Sequence, residues 1–168
     1  MSPSASRVLR NERARSSGAW MSIAVLLWCT QLTSGTAHEE AQRHAMEWVR
    51  SNVDSDTADL DERDSLGYTP LHRVADDGFA DAAALLLEHG ADTEARDNDQ
   101  ATPLLLAAGG GYADVLSMLL RHGARIDALD QYGLGALHYA AESGHVDALR
   151  FLLARGASAQ VRDEEGHG

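Results

Sequence analysis

The chain of 168 residues contains no lysine and only one cysteine. Fourteen arginines face 26 acidic residues, so the formal net charge is −12. An acidic field repels phosphate backbones, which makes nucleic acid a poor partner and a basic protein or peptide a better one, unless the acidity serves solubility alone. The use of arginine alone indicates a GC-rich genome rather than a function, and the lone Cys29 cannot form a disulfide within the chain.

Patterns typical of enzymes and metal sites are also lacking. None of the eight histidines belongs to an HExxH motif or a paired ligand spacing, and no nucleophile is coupled to a base. The glycines at 109–111 lack the Lys-Ser/Thr of a phosphate loop. The acidic stretch 54–64 departs from the EF-hand template at Ala58, Asp59 and Ser65, so a calcium site is a minor alternative to a solvated loop. We expect no catalysis, no metal, no cofactor and no small-molecule substrate.

What the sequence does contain is a repeat with a period of about 33 residues, in blocks that start at Asp64, Asp97 and Asp130. Such a period is typical of stacked supersecondary units, each of which buries its apolar face against a neighbour. Function is then expected on a surface rather than in a cleft. The positions with one residue type in all three blocks are Asp64/Asp97/Asp130, Leu71/Leu104/Leu137, Ala75/Ala108/Ala141, Gly78/Gly111/Gly144, Asp81/Asp114/Asp147, Leu86/Leu119/Leu152, Leu87/Leu120/Leu153, Gly90/Gly123/Gly156 and Ala91/Ala124/Ala157.

Each block predicts two helices separated by turns. The first turn combines Asp64 with Gly67, a residue that tolerates positive φ. Thr69 is a capping residue directly before a proline, and Gly78 predicts the end of a very short first helix. The carboxylate of Asp81 suits the amino end of a second helix, which carries a wide apolar stripe. This layout recurs in the second and third blocks.

The motif Asp64-x-x-Gly67-x-Thr69-Pro70-Leu71-His72, followed by Gly90-Ala91-Asp92, resembles the ankyrin-repeat family in each of its copies. The resemblance covers about residues 64–162, as three full repeats at 64–96, 97–129 and 130–162. It implies an all-α solenoid of stacked helix-turn-helix units with β-hairpin tips. Members of this family usually bind other proteins through the concave face, and we expect this chain to be a scaffold that binds a protein partner through the hairpin tips and that face and catalyses nothing.

Three departures from the motif carry expectations of their own. Gln100 replaces a glycine, and a left-handed glutamine costs about 1–2 kcal/mol, so we expect a distorted or mobile hairpin in the second repeat. Leu105 replaces the histidine found at 72 and 138, so the hydrogen bonds that this histidine gives to neighbouring turns are expected to be absent. Gly135-Ala136 replaces Thr-Pro at the third helix start.

Sequence before the repeats predicts a partial unit at residues 38–63. It is interpreted as an N-terminal capping helix, from Glu39 to about Asn52, followed by a degenerate half repeat. Acidic residues at the amino end favour this helix. Its apolar residues at helical spacing are Ala41, Ala45, Trp48 and Val49.

Residues 163–168 have the pattern of the start of a truncated fourth repeat. Terminal repeats of a solenoid need a polar outer face. Without one, we expect Leu149, Phe151 and Leu152 to be partly uncovered. Truncation of a longer natural protein is the favoured interpretation, and pairing of the open end with another chain is the alternative.

Residues 1–37 have the layout of a signal peptide. Arginines precede an apolar run, Ala19 to about Cys29, and the small residues Gly35 and Ala37 suit cleavage near Ala37, before His38. Export from the cytoplasm is therefore expected, which makes the protein periplasmic or secreted.

The alternative is a membrane-anchored protein that retains residues 19–32, although a spanning helix needs about 20 predominantly apolar residues. Membrane contact is expected only if the leader is uncleaved. Cleavage would remove four arginines and one glutamate, which leaves ten arginines against 25 acidic residues and a net charge of −15. This acidity favours a basic partner.

The family resemblance also indicates which residues contact a partner, namely those at the hairpin tips and at the exposed ends of the first helices. Tyrosines flanked by carboxylates are plausible anchors, because aromatic residues dominate many interface hot spots. The alternative for each of them is ordinary solvent-exposed surface. The residues are Leu66, Tyr68, Asp76 and Asp77 in the first repeat, Asp99 and Ala101 in the second, and Tyr132, Leu134, Glu142 and Ser143 in the third.

Overall fold

The structure is a computed structural model that describes residues 36–53 and 60–158. The leader with its apolar run, residues 54–59 of the acidic loop, and residues 159–168 lie outside the described residues. Within the described ranges no helix has both the length and the apolar character needed to cross a membrane. The helices there are α1 (Thr36–Val53), α2 (Pro70–Asp77), α3 (Ala80–Glu88), α4 (Pro103–Gly110), α5 (Ala113–Arg121), α6 (Ala136–Glu142) and α7 (Val146–Ala154).

The helices after α1 form three pairs, with the layout that the sequence predicts. The hydroxyl of Thr69 accepts the N–H of His72 at 3.4 Å and caps α2, whose first residue is Pro70. Helix α2 ends early because Gly78 adopts a left-handed conformation, with φ of 77°. The equivalent glycines of the other two repeats have φ of 79° and 76°.

The pairs stack in two layers around one apolar core. The first helices, α2, α4 and α6, pack side by side, and the second helices, α3, α5 and α7, form the other layer. Helix α1 covers α3 and buries Ala41, Ala45 and Val49 on one face, so the predicted N-terminal helix is present and packed. The core runs without interruption from α1 to Leu152 in α7. This arrangement is the all-α solenoid of helix pairs that the sequence predicts.

The tips are tight turns and not the β-hairpins that the sequence predicts. In the described residues, strand pairing is limited to a single antiparallel bridge between Leu129 and Gly135. Each turn is held instead by its aspartate: Oδ1 of Asp64 accepts the N–H of Leu66 at 2.8 Å and that of Tyr68 at 3.0 Å. The carboxylate of Asp64 thus satisfies two backbone amides of its turn.

The turn of the second repeat is intact, so the predicted distortion is wrong. Gln100 does adopt the left-handed conformation expected of a glycine, with φ of 62°. The N–H of Asp97 nevertheless donates to the carbonyl of Ala101 at 3.0 Å, as the N–H of Asp64 does to that of Tyr68. The turn therefore keeps its hydrogen bonds and places the strain on one residue.

The end of the stack exposes a different leucine from the one predicted. Leu152 is 0% exposed because it points into the core, and its neighbour Leu153 is 56% exposed. Leu149 and Phe151 are half-buried, as expected. The apolar surface at this end therefore lies on the outward side of α7.

Candidate protein-binding surface

The residues predicted to contact a partner lie in two rows, one at each end of the short first helices. A helix of eight residues, such as α2, rises about 12 Å, so the rows border a face of roughly that height. The turn row, before α2, α4 and α6, comprises Leu66, Tyr68, Asp99, Ala101, Tyr132 and Leu134. The helix-end row, at the carboxyl ends of α2 and α6, comprises Asp76, Asp77, Glu142 and Ser143.

Backbone hydrogen bonds between successive turns hold the turn row in register. The N–H of Asn98 donates to the carbonyl of Leu66 at 3.0 Å, and the N–H of Gln131 donates to that of Asp99 at 3.1 Å. The side-chain amide of Gln131 also donates to the carboxylate of Asp99 at 2.9 Å. Leu66, Asp99 and Tyr132 therefore occupy equivalent positions along one edge of the stack.

The residues of the turn row differ in how far a partner can reach them. Tyr132 is 70% exposed, whereas Leu66, Asp99 and Leu134 are half-buried. Ala101 is 1% exposed, because its methyl group is part of the core. Contrary to the prediction, Ala101 cannot offer its side chain to a partner. A role in binding stays a prediction for the other residues of both rows.

Tyr68 and Tyr132 are not equivalent anchors. The ring of Tyr68 stacks on His72 with 5.5 Å between centroids, and the guanidinium of Arg73 lies 4.6 Å from the Tyr68 centroid. Arg73 also forms an ion pair with Asp64. Tyr68 is therefore fixed inside its own repeat, and Tyr132 is the exposed ring of this row.

The helix-end row is acidic at both ends and has no side chains in the middle. Asp76 and Asp77 end α2, and the exposed Glu142 ends α6. Glycines occupy the equivalent positions of α4, at 109 and 110. Gly109 is buried, and the ring of Tyr112 lies against Gly110, so the middle repeat places no carboxylate between the two acidic sets.

An aromatic ring of each later repeat fills the space beside a glycine of the repeat before it. A Cβ added to Gly78 would lie 2.4 Å from the ring of Tyr112, and one added to Gly111 would lie 2.5 Å from the ring of His145. Contacts this short do not occur, so each ring takes the place of a side chain. These pairs fix how closely the helix ends approach.

Within the helix-end row, the carboxyl group of Asp77 has a strongly raised pKa. Burial, together with the neighbouring carboxylate of Asp76, raises the pKa of Asp77 to about 7, although Arg73 opposes the shift. The group is thus close to half ionised at neutral pH. A cation placed beside Asp77 would lower the pKa of this carboxyl group and so increase its ionised fraction.

The first aspartate of two repeats has a side-chain partner that the sequence motifs did not reveal. Arg73 pairs with Asp64, and the hydroxyl of Tyr139 donates to Asp130 at 3.0 Å, each from the equivalent position of its repeat. The second repeat has Leu106 at that position, which is 5% exposed. This position holds arginine, leucine and tyrosine in the three repeats, so a search for residues that the repeats share does not find it.

The middle repeat also lacks the buried histidine, with a visible consequence. In the first repeat, Nδ1 of His72 lies 2.9 Å from the hydroxyl of Thr69, and Nε2 donates to the carbonyl of Ala101 at 3.2 Å. Burial holds the pKa of His72 at about 4, so the ring is neutral. With Leu105 at the equivalent position, the hydroxyl of Thr102 is buried without a hydrogen-bond partner among the described residues, and it caps nothing.

A known protein family matches the part of the chain that contains these helices. A family model for ankyrin repeats, in three copies, matches residues 37–130 and, in an overlapping second match, residues 92–163. The matches span the three helix pairs and nearly all of α1. No curated protein matches the chain. In residues 36–53 and 60–158, no group of three or more His, Cys, Asp or Glu side chains could hold a metal ion.

Proposed function

The chain belongs to the ankyrin-repeat family, and from this premise we propose that it is a scaffold that binds a basic protein or peptide. Ankyrin repeats generally mediate protein–protein interaction, and the family is typically non-catalytic. In our proposal the partner lies across the face bordered by the turn row and the helix-end row.

The observation that carries this proposal is the charge of that face. Asp76, Asp77 and Glu142 stand along the helix ends, and Asp99 adds a carboxylate at the turns. Arg73, the arginine of α2, pairs with Asp64 and also acts on Asp77, and the carboxylates of the face outnumber it. The face therefore carries a negative potential that attracts cationic side chains and speeds their association.

The face offers two kinds of contact. Asp76 and Asp77 stand at the carboxyl end of α2, and the ring of Tyr112 lies against Gly110 in the middle of the helix-end row. Tyr132, 70% exposed at the end of the turn row, supplies an aromatic anchor of the kind found at interface hot spots. A chain that places an arginine near Asp77 and an apolar residue near Tyr132 would use both features.

The proposal is tested with a defined probe, a synthetic arginine- and glycine-rich peptide, and its glutamate-containing counterpart. Fluorescence anisotropy should detect binding of the first peptide only, and the affinity should fall at high salt. Asp76→Asn and Glu142→Gln should each weaken binding by about 0.5–1 kcal/mol, as expected for charges that water still reaches. Tyr132→Ala should cost more than either.

Asp114→Asn is the matched control, because Asp114 is exposed on α5, in the other helical layer, and the charge change is the same. It should leave the affinity almost unchanged. Equal losses for Asp114→Asn and Asp76→Asn would mean that net charge alone attracts the peptide. Binding of the acidic peptide would contradict the choice of partner.

We also propose that the protein is exported and that its leader is cleaved near Ala37. The arginines and apolar run of residues 1–37 support this. Cleavage before His38 would retain the buried residues of α1 and the contact of His38 with Phe79, 5.4 Å between ring centroids. The competing proposal is a tethered adaptor that keeps residues 19–32 in a membrane.

The amino terminus of the protein isolated from its native host separates these possibilities. A soluble chain that starts at His38, identified by intact mass and amino-terminal sequencing, would support export. A membrane-bound chain that retains residues 19–32 would support the tether. A soluble intracellular chain that starts at Met21 or later would contradict both.

A further inference from the structure

The first aspartate of the second repeat has one carboxylate oxygen without a donor. Oδ1 of Asp97 accepts the N–H of Asp99 at 2.9 Å and that of Ala101 at 2.7 Å, so this oxygen holds the turn. Oδ2 accepts no hydrogen bond from any group in residues 36–53 and 60–158. Asp97 is 6% exposed, so water compensates little for the missing donor.

The equivalent aspartates show which group is missing. Nε of Arg73 donates to Oδ2 of Asp64 at 2.9 Å, and Nη2 of the same guanidinium donates to that oxygen as well. In the third repeat, the hydroxyl of Tyr139 donates to Oδ2 of Asp130. The first and third repeats thus supply a donor from within, whereas Leu106 supplies none in the second.

The charges around Asp97 are negative. Burial raises the pKa of Asp97, the turn amides oppose the shift, and the carboxylates of Asp99 and Asp130 raise the pKa further. Arg96, the residue before Asp97, donates Nη1 to two backbone carbonyls instead. A cation brought to Oδ2 would therefore gain both a charge-assisted hydrogen bond and the attraction of the neighbouring carboxylates.

Oδ2 of Asp97 is accessible from outside. Among the described residues, the fully enclosed side-chain atom without a partner is Oγ1 of Thr102, so Oδ2 of Asp97 keeps contact with solvent. Asp97 lies two residues before Asp99, in the middle turn of the three. The oxygen therefore opens near the centre of the turn row, where a partner on the proposed face would pass.

We propose that Oδ2 of Asp97 is the subsite for an arginine side chain of the partner, whose guanidinium binds Asp97 as the guanidinium of Arg73 binds Asp64. This inference rests on the proposed function, because it assigns one contact of the basic partner. The planar guanidinium places two donors on one oxygen, as Arg73 does, whereas the ammonium of lysine is a compact and strongly hydrated charge. The subsite therefore selects arginine over lysine.

Asp97→Asn tests the subsite, because asparagine keeps the oxygen that holds the turn and replaces Oδ2 with an amide that donates. Binding of the arginine- and glycine-rich peptide, measured by fluorescence anisotropy, should weaken roughly tenfold. Asp130→Asn is the matched control, because the charge change and the place in the repeat are the same but Tyr139 already occupies the oxygen. Its affinity should change by less than about threefold. Circular dichroism checks that both variants are folded.

A donor supplied from inside the chain gives a second test without any change of charge. Leu106→Tyr copies Tyr139 and gives Oδ2 of Asp97 a hydroxyl, whereas Leu106→Phe adds the same ring without one. The peptide should bind Leu106→Tyr roughly fivefold more weakly than Leu106→Phe, because the hydroxyl competes for the oxygen. A peptide with lysine at each arginine should bind the wild type more weakly and should lose less affinity on Asp97→Asn.

The failure of the subsite and the failure of the proposed function give different results. Equal losses for Asp97→Asn and Asp130→Asn, or equal affinities for the two Leu106 variants, would overturn the subsite while the peptide still binds the face. Equal affinity of the wild type for the arginine and lysine peptides would overturn it as well. A peptide that does not bind the wild type would refute the proposed function and the subsite together.

Discussion

Removal of the unpaired hydroxyl of Thr102 is expected to stabilise the protein. Thr102 is 0% exposed, and its hydroxyl has no hydrogen-bond partner among residues 36–53 and 60–158. A buried polar group without a partner costs about 1–3 kcal/mol. Thr102→Val keeps the β-branched shape and removes the oxygen, so the free energy of unfolding should rise by about 1–2 kcal/mol.

Thr69→Val is the matched control at the equivalent position of the first repeat. The hydroxyl of Thr69 lies 2.9 Å from Nδ1 of His72 and caps α2. Loss of these contacts should lower the free energy of unfolding by about 1 kcal/mol. Both substitutions replace threonine with valine, so changes of opposite sign in the free energy of unfolding would isolate the effect of the hydrogen-bond partner.

Urea or guanidinium unfolding, followed by circular dichroism, measures both changes. Restoring the histidine adds a further check: in a Leu105→His background the hydroxyl of Thr102 regains a partner, and the gain from Thr102→Val should disappear. Equal destabilisation by Thr102→Val and Thr69→Val would refute the reasoning. It would mean that the hydroxyl of Thr102 is satisfied in solution.

Further predictions concern protonation and backbone conformation. The neutral His72 has a pKa of about 4 against 6.5 when unfolded, so its contribution is complete above pH 6.5 and lost as the pH falls toward 4. Between pH 7 and 4 the wild type should therefore lose about 3 kcal/mol more than His72→Leu, measured by denaturant unfolding, and parallel losses would contradict this. The pH dependence that Asp77 causes has the opposite sign, because the pKa of Asp77 is raised from 3.8 to about 7 and its ionisation at higher pH therefore destabilises the folded state. Asp77→Asn should then stabilise the protein more at pH 8 than at pH 4. Gln100→Gly should raise the free energy of unfolding by about 1 kcal/mol, and an unchanged value would show that the left-handed glutamine carries no strain. Gly78→Ala should lower the thermal midpoint more than Gly144→Ala, since both have positive φ but only Gly78 has a ring against it; equal shifts would show that the ring can move aside.

The sequence predicts the helix pairs well because their signals are local. The capping threonine, the proline after it and the left-handed glycine each act on the residues around them, as seen at Thr69, Pro70 and Gly78. The repeat period then fixes the order of stacking. The N-terminal helix was equally predictable, since its apolar residues follow the helical period and all pack on one side.

The sequence could not show which residues of the proposed binding face are accessible to a partner. Ala101 is buried because its methyl group belongs to the core, and the ring of Tyr68 is held by an arginine that has no counterpart in the other repeats. The intact turn at Gln100 had a similar cause, because the carboxylate of Asp97 holds that turn whichever residue takes positive φ: it accepts the N–H of Ala101 at 2.7 Å. Each of these outcomes is set by contacts in the folded chain that the repeat motif does not contain.

The pairing of glycines with aromatic rings constrains how such a chain can evolve by duplication. The ring of Tyr112 requires a glycine at position 78, and the ring of His145 requires one at position 111. A repeat that carries such a ring can therefore follow only a repeat that has glycine at the facing position. Any exchange of repeats must therefore keep each of these glycines together with the ring of the following repeat, so the unit that can be exchanged runs from the middle of one repeat to the middle of the next.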